Sequence, residues 1–590
     1  MSQGEGGRGP GTVPWHPAHL VPAGLAAVAG LAVVLATQRH GLDWTDESFV
    51  WVMIASDRVA VGEAWGFQHL LHPVWVALGE RVLPMRLLRV AGYLAVSGIL
   101  TWAAARVLCA SGVDLVRRER WFVLLVAQTG TLLAFGYPPR YLGYNELSAW
   151  TSAVLCALLA VGLVPRRRDD GSLARVLPWA AAGLLLPLLV VAKFTAGLAW
   201  MPVVALLLVV TVPGTPRWRR LVAVLAGAVS SVWALLVAGV PAVTVARNAM
   251  GLLGDGSAQE ASDHSISTVL ETYLDSTVLT GRALAIPALL LLVLALLCVR
   301  TPRPRVAAAV VGLVVAGFVA ARLTWPWAVA GDWDGLGVVT AALGLCGAAA
   351  VLAGPATLPP SAPRPRLLLV LLGALVTPLL ASVGTNNAIW AHTVFSATAW
   401  AVLAGVALCL LARTAPAPVR TAPLLLGGLL VAVTATAVAY DLTVHPYRST
   451  PYLAQTTPTT VPALAGLRLS ADQAATADWL RSVAQEQGAA DLPAVALNSP
   501  GHLLALDASG WASPWRGGSW EASVGRACED APPRDLLVVE PAEPAARVSV
   551  ERDRLVSALD GCGLAFPGDF VAVAERDGTT VWRLAPGGGG

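Results

Sequence analysis

The residues best suited to chemistry stand near the start of the chain, in Gly41-Leu42-Asp43-Trp44-Thr45-Asp46-Glu47-Ser48-Phe49, where three carboxylates fall close together. A carboxylate held beside a hydroxyl can take its proton, so Asp46, Glu47 and Asp43 are candidates for a general base. A structural reading stands beside that one: a helix starts at Thr45 or Asp46, and the acidic side chains meet its free N–H groups. After Glu47 comes an apolar, aromatic stretch from Phe49 to Ile54, suited to lying at a membrane interface. Gln68-His69-Leu70-Leu71-His72-Pro73-Val74-Trp75 then leads back toward the next apolar block.

The elements that must position these residues are membrane helices. Apolar residues make up 56% of the 590 and charged residues 13%, and the mean hydropathy is +0.65. That composition excludes an ordinary soluble protein. Crossing a hydrocarbon core of about 30 Å takes about 20 mostly apolar residues. Segments 18–38, 87–108, 121–136, 146–164, 176–193, 195–212, 221–240, 282–299, 306–324, 336–354, 367–384, 391–411 and 422–440 qualify, predicting about 13 spans. The first is read as a retained helix, with a signal peptide as the alternative. Basic loops alternate along the chain: Arg117, Arg118 and Arg120; Arg166 to Arg168; Arg217, Arg219 and Arg220; Arg300, Arg303 and Arg305; Arg364 and Arg366; Arg413 and Arg420. Arginine next to a span stays on the cytoplasmic side, so the N-terminus is expected inside and the C-terminus outside a plasma membrane crossed many times.

On that topology the acidic cluster faces outward, and so do four cations. Lys193, the only lysine, sits between two apolar runs in Val191-Ala192-Lys193-Phe194-Thr195-Ala196-Gly197. Ionisable residues at membrane depth are costly and commonly line a functional cavity; snorkelling to the headgroups is the alternative. Arg140 in Tyr137-Pro138-Pro139-Arg140-Tyr141, Arg282 and Arg322 also lie outside. Together the four suit an anionic ligand such as a lipid phosphate. Tyr144-Asn145-Glu146 opens the fourth segment, either as a ligand-positioning group or as an Asn N-cap with a first-turn Glu. Trp325, Trp327, Trp333 and Trp390 could stack on sugars or form an interfacial belt, and the belt is preferred. Asp332 and Asp334 have the spacing of a metal pair, but a lone Asp-x-Asp is common by chance. No cofactor is therefore assigned, and a divalent metal stays open. Asp255, Asp263 and His264 lie in a long outer loop without an assignable role.

Residues 441–590 contain no span and carry 11 Arg against 18 Asp and Glu, whereas residues 1–440 carry 29 basic and 19 acidic groups. The sequence thus divides into a basic membrane body, 1–440, and an acidic outer domain, 441–590. Helices are expected at Ala471 to Gln487 and Glu551 to Leu559. Strands are expected at Pro493 to Leu497 and Leu536 to Glu540, and a hairpin at Phe570 to Arg576 and Thr579 to Leu584 around Asp577-Gly578, making a small α/β domain. Cys528 and Cys562 stand in a compartment that permits a disulfide. Cys109, Cys156, Cys298, Cys346 and Cys409 lack metal-ligand spacing and pack as small hydrophobes.

An acidic pair after the first span, an apolar interfacial stretch and a His-Pro element before the second span resemble the polyprenol-dependent membrane glycosyltransferases of the GT-C class. The nearest pattern is that of the protein O-mannosyltransferases and bacterial aminoarabinose transferases. The resemblance implies that Asp46, first of the Asp46-Glu47 pair, is the catalytic base. His72-Pro73 matches the later element in part, since Val74 stands where a second Pro is common. Glu146 matches a second acidic residue that positions the acceptor or a metal. The implied activity is inverting transfer of a hexose or pentose from a polyprenyl-phosphate sugar to a cell-envelope acceptor, whether glycan, lipid or protein. The lipid bilayer is the other expected partner; nucleic acid is not one. Two other classes remain open: a transporter or flippase of a lipid-linked or polar solute, and a non-catalytic envelope assembly protein.

Overall fold

The computed structural model describes residues 17–590 apart from 57–65, 137–138, 165–171, 255–264, 301–311, 313, 316, 320–332, 358–363, 415–420, 489–491, 497–499, 512–523, 525–527, 529–532, 541–544 and 587–590. Its first half is helical: α1 Val21–Thr37, α2 Asp46–Ser56, α3 Phe67–Ala77, α4 Val82–Ala110, α5 Arg117–Gly136, α6 Tyr144–Leu163, α7 Ser172–Ala192, α8 Phe194–Val209, α9 Arg217–Val237 and α10 Ala242–Gly254. There follow α11 Ile266–Ala283, α12 Ala285–Arg300, α13 Trp333–Thr357, α14 Arg364–Ser382, α15 Ile389–His392, α16 Thr398–Thr414 and α17 Ala422–Thr443.

Among the described residues, eight helices are long and apolar enough to cross a membrane, or nine if the pair Ile389–Phe395 and Thr398–Arg413, bent by 77°, is one span. The expected count of about 13 is not confirmed among the described residues, for identifiable reasons. The segment expected at 195–212 is α8, only 16 residues, or about 24 Å at 1.5 Å per residue. The segment expected at 121–136 forms the buried helix α5, whose first turn carries Arg117, Arg118, Glu119 and Arg120 and lowers its apolar character. Most of 306–324 lies outside the described residues. Helices α7 and α9 pack closely because Gly183 and Gly227 bring the two backbones together; a Cβ on Gly183 would strike the Val224 carbonyl, and one on Gly227 the Ala180 carbonyl.

Beyond α17 the chain turns to mixed structure: β1 Thr457–Pro458, β2 Arg468–Leu469, α18 Ala471–Glu486, β3 Pro493–Ala496, α19 Pro500–Leu506, β4 Ser509–Gly510, β5 Leu537–Glu540, α20 Ala545–Asp560, β6 Phe570–Arg576 and β7 Thr579–Leu584. Five strands form one sheet in the order β4-β3-β5-β7-β6. Strand β3 runs parallel to β4 and β5, and the hairpin β6–β7 closes antiparallel on β5. Cys528 and Cys562 are bridged, with Cα atoms 5.7 Å apart.

This C-terminal region is stitched to the loop after α1. Gly41 N donates to Arg468 O at 2.7 Å, and Arg468 N donates to Arg39 O at 2.7 Å. One hydrophobic cluster joins Phe49, Trp51, Met53 and Ile54 of α2 with Trp75 of α3 and with Leu464, Leu480, Leu503 and Val539. The apolar stretch expected at a lipid interface is therefore buried in protein. Its Trp51 stacks on Trp75 at 5.9 Å, and Gly501 of α19 has no room for a Cβ, which would lie 2.5 Å from Trp44.

Candidate active site

The three carboxylates take three different environments. Asp43 is buried and closes the entrance to α2: its Oδ1 accepts from Thr45 N at 3.1 Å and Thr45 Oγ1 at 2.7 Å, and its Oδ2 accepts from Glu47 N at 3.1 Å. Burial, and then the nearby Asp46 charge, push its carboxyl up to about 6, while the hydrogen bonds from Thr45 and Glu47 work the other way. Glu47, 1% exposed, accepts from Arg86 Nε at 2.7 Å and Arg86 Nη2 at 2.8 Å. Trp51 Nε1 adds a bond to Oε1 at 3.2 Å. Burial works to raise the Glu47 carboxyl, but the guanidiniums of Arg86 and Arg140 outweigh it and hold it below the ordinary range. Arg86, in turn, donates to Gln38 O at 2.6 Å and Gly41 O at 2.8 Å, fixing the C-terminus of α1. Asp43 and Glu47, expected as catalytic candidates, are thus occupied in holding the loop in shape.

Asp46 differs. Its side chain is 20% exposed, and Arg448 Nη1 lies 3.1 Å from its Oδ2. The same oxygen accepts from the Tyr447 hydroxyl. Among the described residues, Oδ1 of Asp46 has no hydrogen-bond donor. It is the carboxylate of the three with an oxygen left for an incoming hydroxyl.

The expected ligand-binding residues divide in the same way. Arg140 is buried, with its guanidinium spent on the carbonyls of Thr37, His40 and Gly41 at the end of α1, and lies 3.5 Å from the Tyr452 ring centroid. Burial and the adjacent Arg86 pull it down to about 10. It secures the loop rather than facing a ligand. Glu146 is fully buried: its Oε1 pairs with Arg89 Nε at 2.9 Å, and its Oε2 accepts from Gly143 N at 3.0 Å. The N-cap of α6 is Gly143, not Asn145, and Glu146 reaches back from the third position of the helix. Asn145 is buried, donates to the Tyr141 hydroxyl at 3.3 Å, and has no partner for its Oδ1. His72 Nδ1 lies 2.8 Å from Ile54 O and ties α3 to the end of α2. Arg282 is exposed in the last turn of α11. Arg322, Trp325, Trp327, Asp332, Asp255, Asp263 and His264 lie outside the described residues. Trp390 donates its Nε1 to Thr277 Oγ1 at 3.1 Å. Among the described residues, no three His, Cys, Asp or Glu side chains gather as a metal site.

Lys193 stands at the break between α7 and α8, where its backbone is extended at φ −155 and ψ 95. Lys193 is 6% exposed, and among the described residues its ammonium donates to Ala381 O at 3.2 Å and Ser382 O at 3.4 Å, at the end of α14. An ammonium has three donors, so one N–H remains for a further acceptor. Sequence reasoning passed over an aromatic pair, Tyr141 and Tyr144, that lies between the acidic loop and this ammonium's surroundings. Both phenols are within electrostatic reach of Asp46, and Lys193 Nζ lies 6.0 Å from the Tyr144 ring centroid. Their signal in the sequence was adjacency to Asn145 and Glu146, in a segment read only for its charges.

No family model matches the chain, and no curated protein matches its sequence. Among solved structures it is similar to the crystal structure of ArnT from Cupriavidus metallidurans bound to undecaprenyl phosphate, at 15% identity over 96% of this chain and 98% of that one, with a TM-score of 0.43. A likeness of that depth assigns no residue a role.

Proposed function

We propose that this protein is a membrane glycosyltransferase of the GT-C type, moving a sugar from a polyprenyl phosphate to a hydroxyl at the outer face of the plasma membrane. The observation that carries the reading is the Asp46 carboxylate, with one oxygen pinned and, among the described residues, no donor on the other, beside Asp43 and Glu47 whose carboxylate oxygens are all engaged. Asp46 Oδ1 takes the acceptor's hydroxyl proton as that oxygen bonds to the anomeric carbon. The bond from that carbon to the phosphate oxygen breaks, its electron pair leaves with the lipid phosphate, and the configuration inverts. Lys193 supplies a fixed cation for the departing phosphate through its remaining N–H.

The reading places the N-terminus in the cytoplasm and residues 441–590 outside as the acceptor-side domain. The resemblance of the Asp46-Glu47 and His72-Pro73 elements to the GT-C pattern supports it. The test is incubation of purified protein in nanodiscs with labelled polyprenyl-phosphate hexoses and pentoses, scoring release of lipid phosphate for wild type and Asp46→Asn. A fall of about 100-fold in the variant is expected. Undiminished release from Asp46→Asn would refute the assignment, and movement of the lipid across vesicles without transfer would favour a transporter.

A further inference from the structure

The segment between α17 and β1 contributes two side chains to the acidic loop that lies some 400 positions earlier. Tyr447 donates its hydroxyl to Asp46 Oδ2, and Arg448 Nη1 approaches the same oxygen at 3.1 Å. Arg448 Nη1 also donates to Thr45 Oγ1 at 3.0 Å, and Thr45 Oγ1 donates in turn to Asp43 Oδ1 at 2.7 Å. Both contacts on Asp46 fall on one oxygen. A carboxylate bound through Oδ2 alone is fixed in rotation about its Cβ–Cγ bond, which leaves Oδ1 in one direction and open.

The backbone adds an independent observation. Arg448 has φ +44, a left-handed conformation that a residue with a long side chain rarely adopts. Such a conformation persists where surrounding contacts over-determine it and is concentrated at functional sites. Here it turns the Arg448 side chain back over the Tyr447 ring, 5.0 Å from the centroid, and onto the acidic loop. A surface turn with no task beyond connecting α17 to β1 would place Gly or Asn at that position.

We infer that Tyr447 and Arg448 are positioning residues for Asp46: they hold its Oδ2 so that Oδ1 faces the acceptor hydroxyl, making the C-terminal segment part of the active site. The inference rests on the reading of Asp46 as the base, and its test separates the two. In full-length protein in nanodiscs, carboxyl groups are labelled with a water-soluble carbodiimide and glycine ethyl ester, and the rates at Asp46 and Glu47 are followed by peptide mass spectrometry. This measurement needs no substrate. Tyr447→Phe and Arg448→Gln are expected to speed labelling of Asp46 several-fold, Arg448→Lys is expected to stay near wild type, and Glu47 is expected to stay slow throughout because Arg86 holds it. Unchanged Asp46 labelling in both Tyr447→Phe and Arg448→Gln would overturn the anchoring.

Turnover of the labelled polyprenyl-phosphate sugars supplies the second arm. Loss of anchoring misaligns a base without removing a binding contact, so kcat should fall roughly 10- to 100-fold while the donor KM stays constant, and Arg448→Lys should recover most of the rate. A faster-labelled Asp46 with undiminished kcat would overturn the role in the reaction. Full activity of Asp46→Asn would refute the base itself, with the labelling rates still deciding the anchoring.

Discussion

Exchanging the two acidic neighbours should separate shape from chemistry. Glu47→Gln removes the charge that Arg86 grips through two bonds of 2.7 and 2.8 Å, inside protein and away from water. Removing one partner of a buried ion pair costs about 3 to 5 kcal/mol, because the other charge is left desolvated. Two features favour the low end. Gln keeps one oxygen for Arg86 or Trp51, and Arg86 keeps the carbonyls of Gln38 at 2.6 Å and Gly41 at 2.8 Å. The expectation is a loss of about 3 kcal/mol, roughly two orders of magnitude in the folding equilibrium. Asp46→Asn loses only a pair with Arg448, whose side chain is 52% exposed, so its cost should stay under about 1 kcal/mol while turnover falls about 100-fold. Thermal unfolding in detergent, beside lipid-phosphate release in nanodiscs, reads both quantities. If Glu47→Gln keeps wild-type stability yet loses turnover, and Asp46→Asn keeps turnover, the roles assigned to the two are reversed.

Three further outcomes are expected. Burial raises the Asp43 carboxyl from 3.8 to about 6, so the native state binds that proton more tightly than the unfolded chain. The resulting stabilisation is full below the unfolded value and is lost as pH rises through about 6, amounting to about 3 kcal/mol at most; wild type should gain on Asp43→Asn in unfolding temperature between pH 7 and pH 5, and a pH-independent difference would contradict this. Lys193→Gln should weaken donor binding by about 2 to 4 kcal/mol, with Lys193→Arg intermediate; equal donor affinities for the three proteins at matched salt would leave Lys193 with no role toward the phosphate. Ending the chain after Thr456 should uncover Trp51, Met53 and Ile54, which share a cluster with Leu464 and Leu503, so the shortened protein should unfold at lower temperature, and an unchanged transition would show that the C-terminal region only rests on the body.

Local pattern was enough for much of the fold. Expected and observed bounds agree within a few residues for α18, β3, β5 and the β6–β7 hairpin, because short apolar runs between Pro, Gly and Asp leave little choice of period or end. The break at Lys193 was legible as an apolar stretch too long for one crossing, and it falls where α7 ends. The exact number of spans is not confirmed among the described residues, and hydropathy does not distinguish a helix facing lipid from one enclosed by others. Helix α5 is buried along much of its length although its first turn is charged.

The site shows the same limit at finer scale. Residue type marked Asp43, Asp46, Glu47, Arg140 and Glu146 as chemically able, and they stand in the loop after α1, at the start of α2, and in or just after the loop before α6. Which of them keeps a free oxygen depends on partners remote in the chain: Arg86 takes Glu47, Arg89 takes Glu146, and the carbonyls of Thr37, His40 and Gly41 take Arg140. Tyr447 and Arg448 had no motif to betray them, since their meaning lies in a contact with a residue some 400 positions earlier. A buried charge in such a network must be paired to be tolerated, so the pairs that hold the loop use up its buried carboxylates. Asp46, paired through Oδ2 and partly open to water, is the carboxylate that consumption leaves for the role proposed for it.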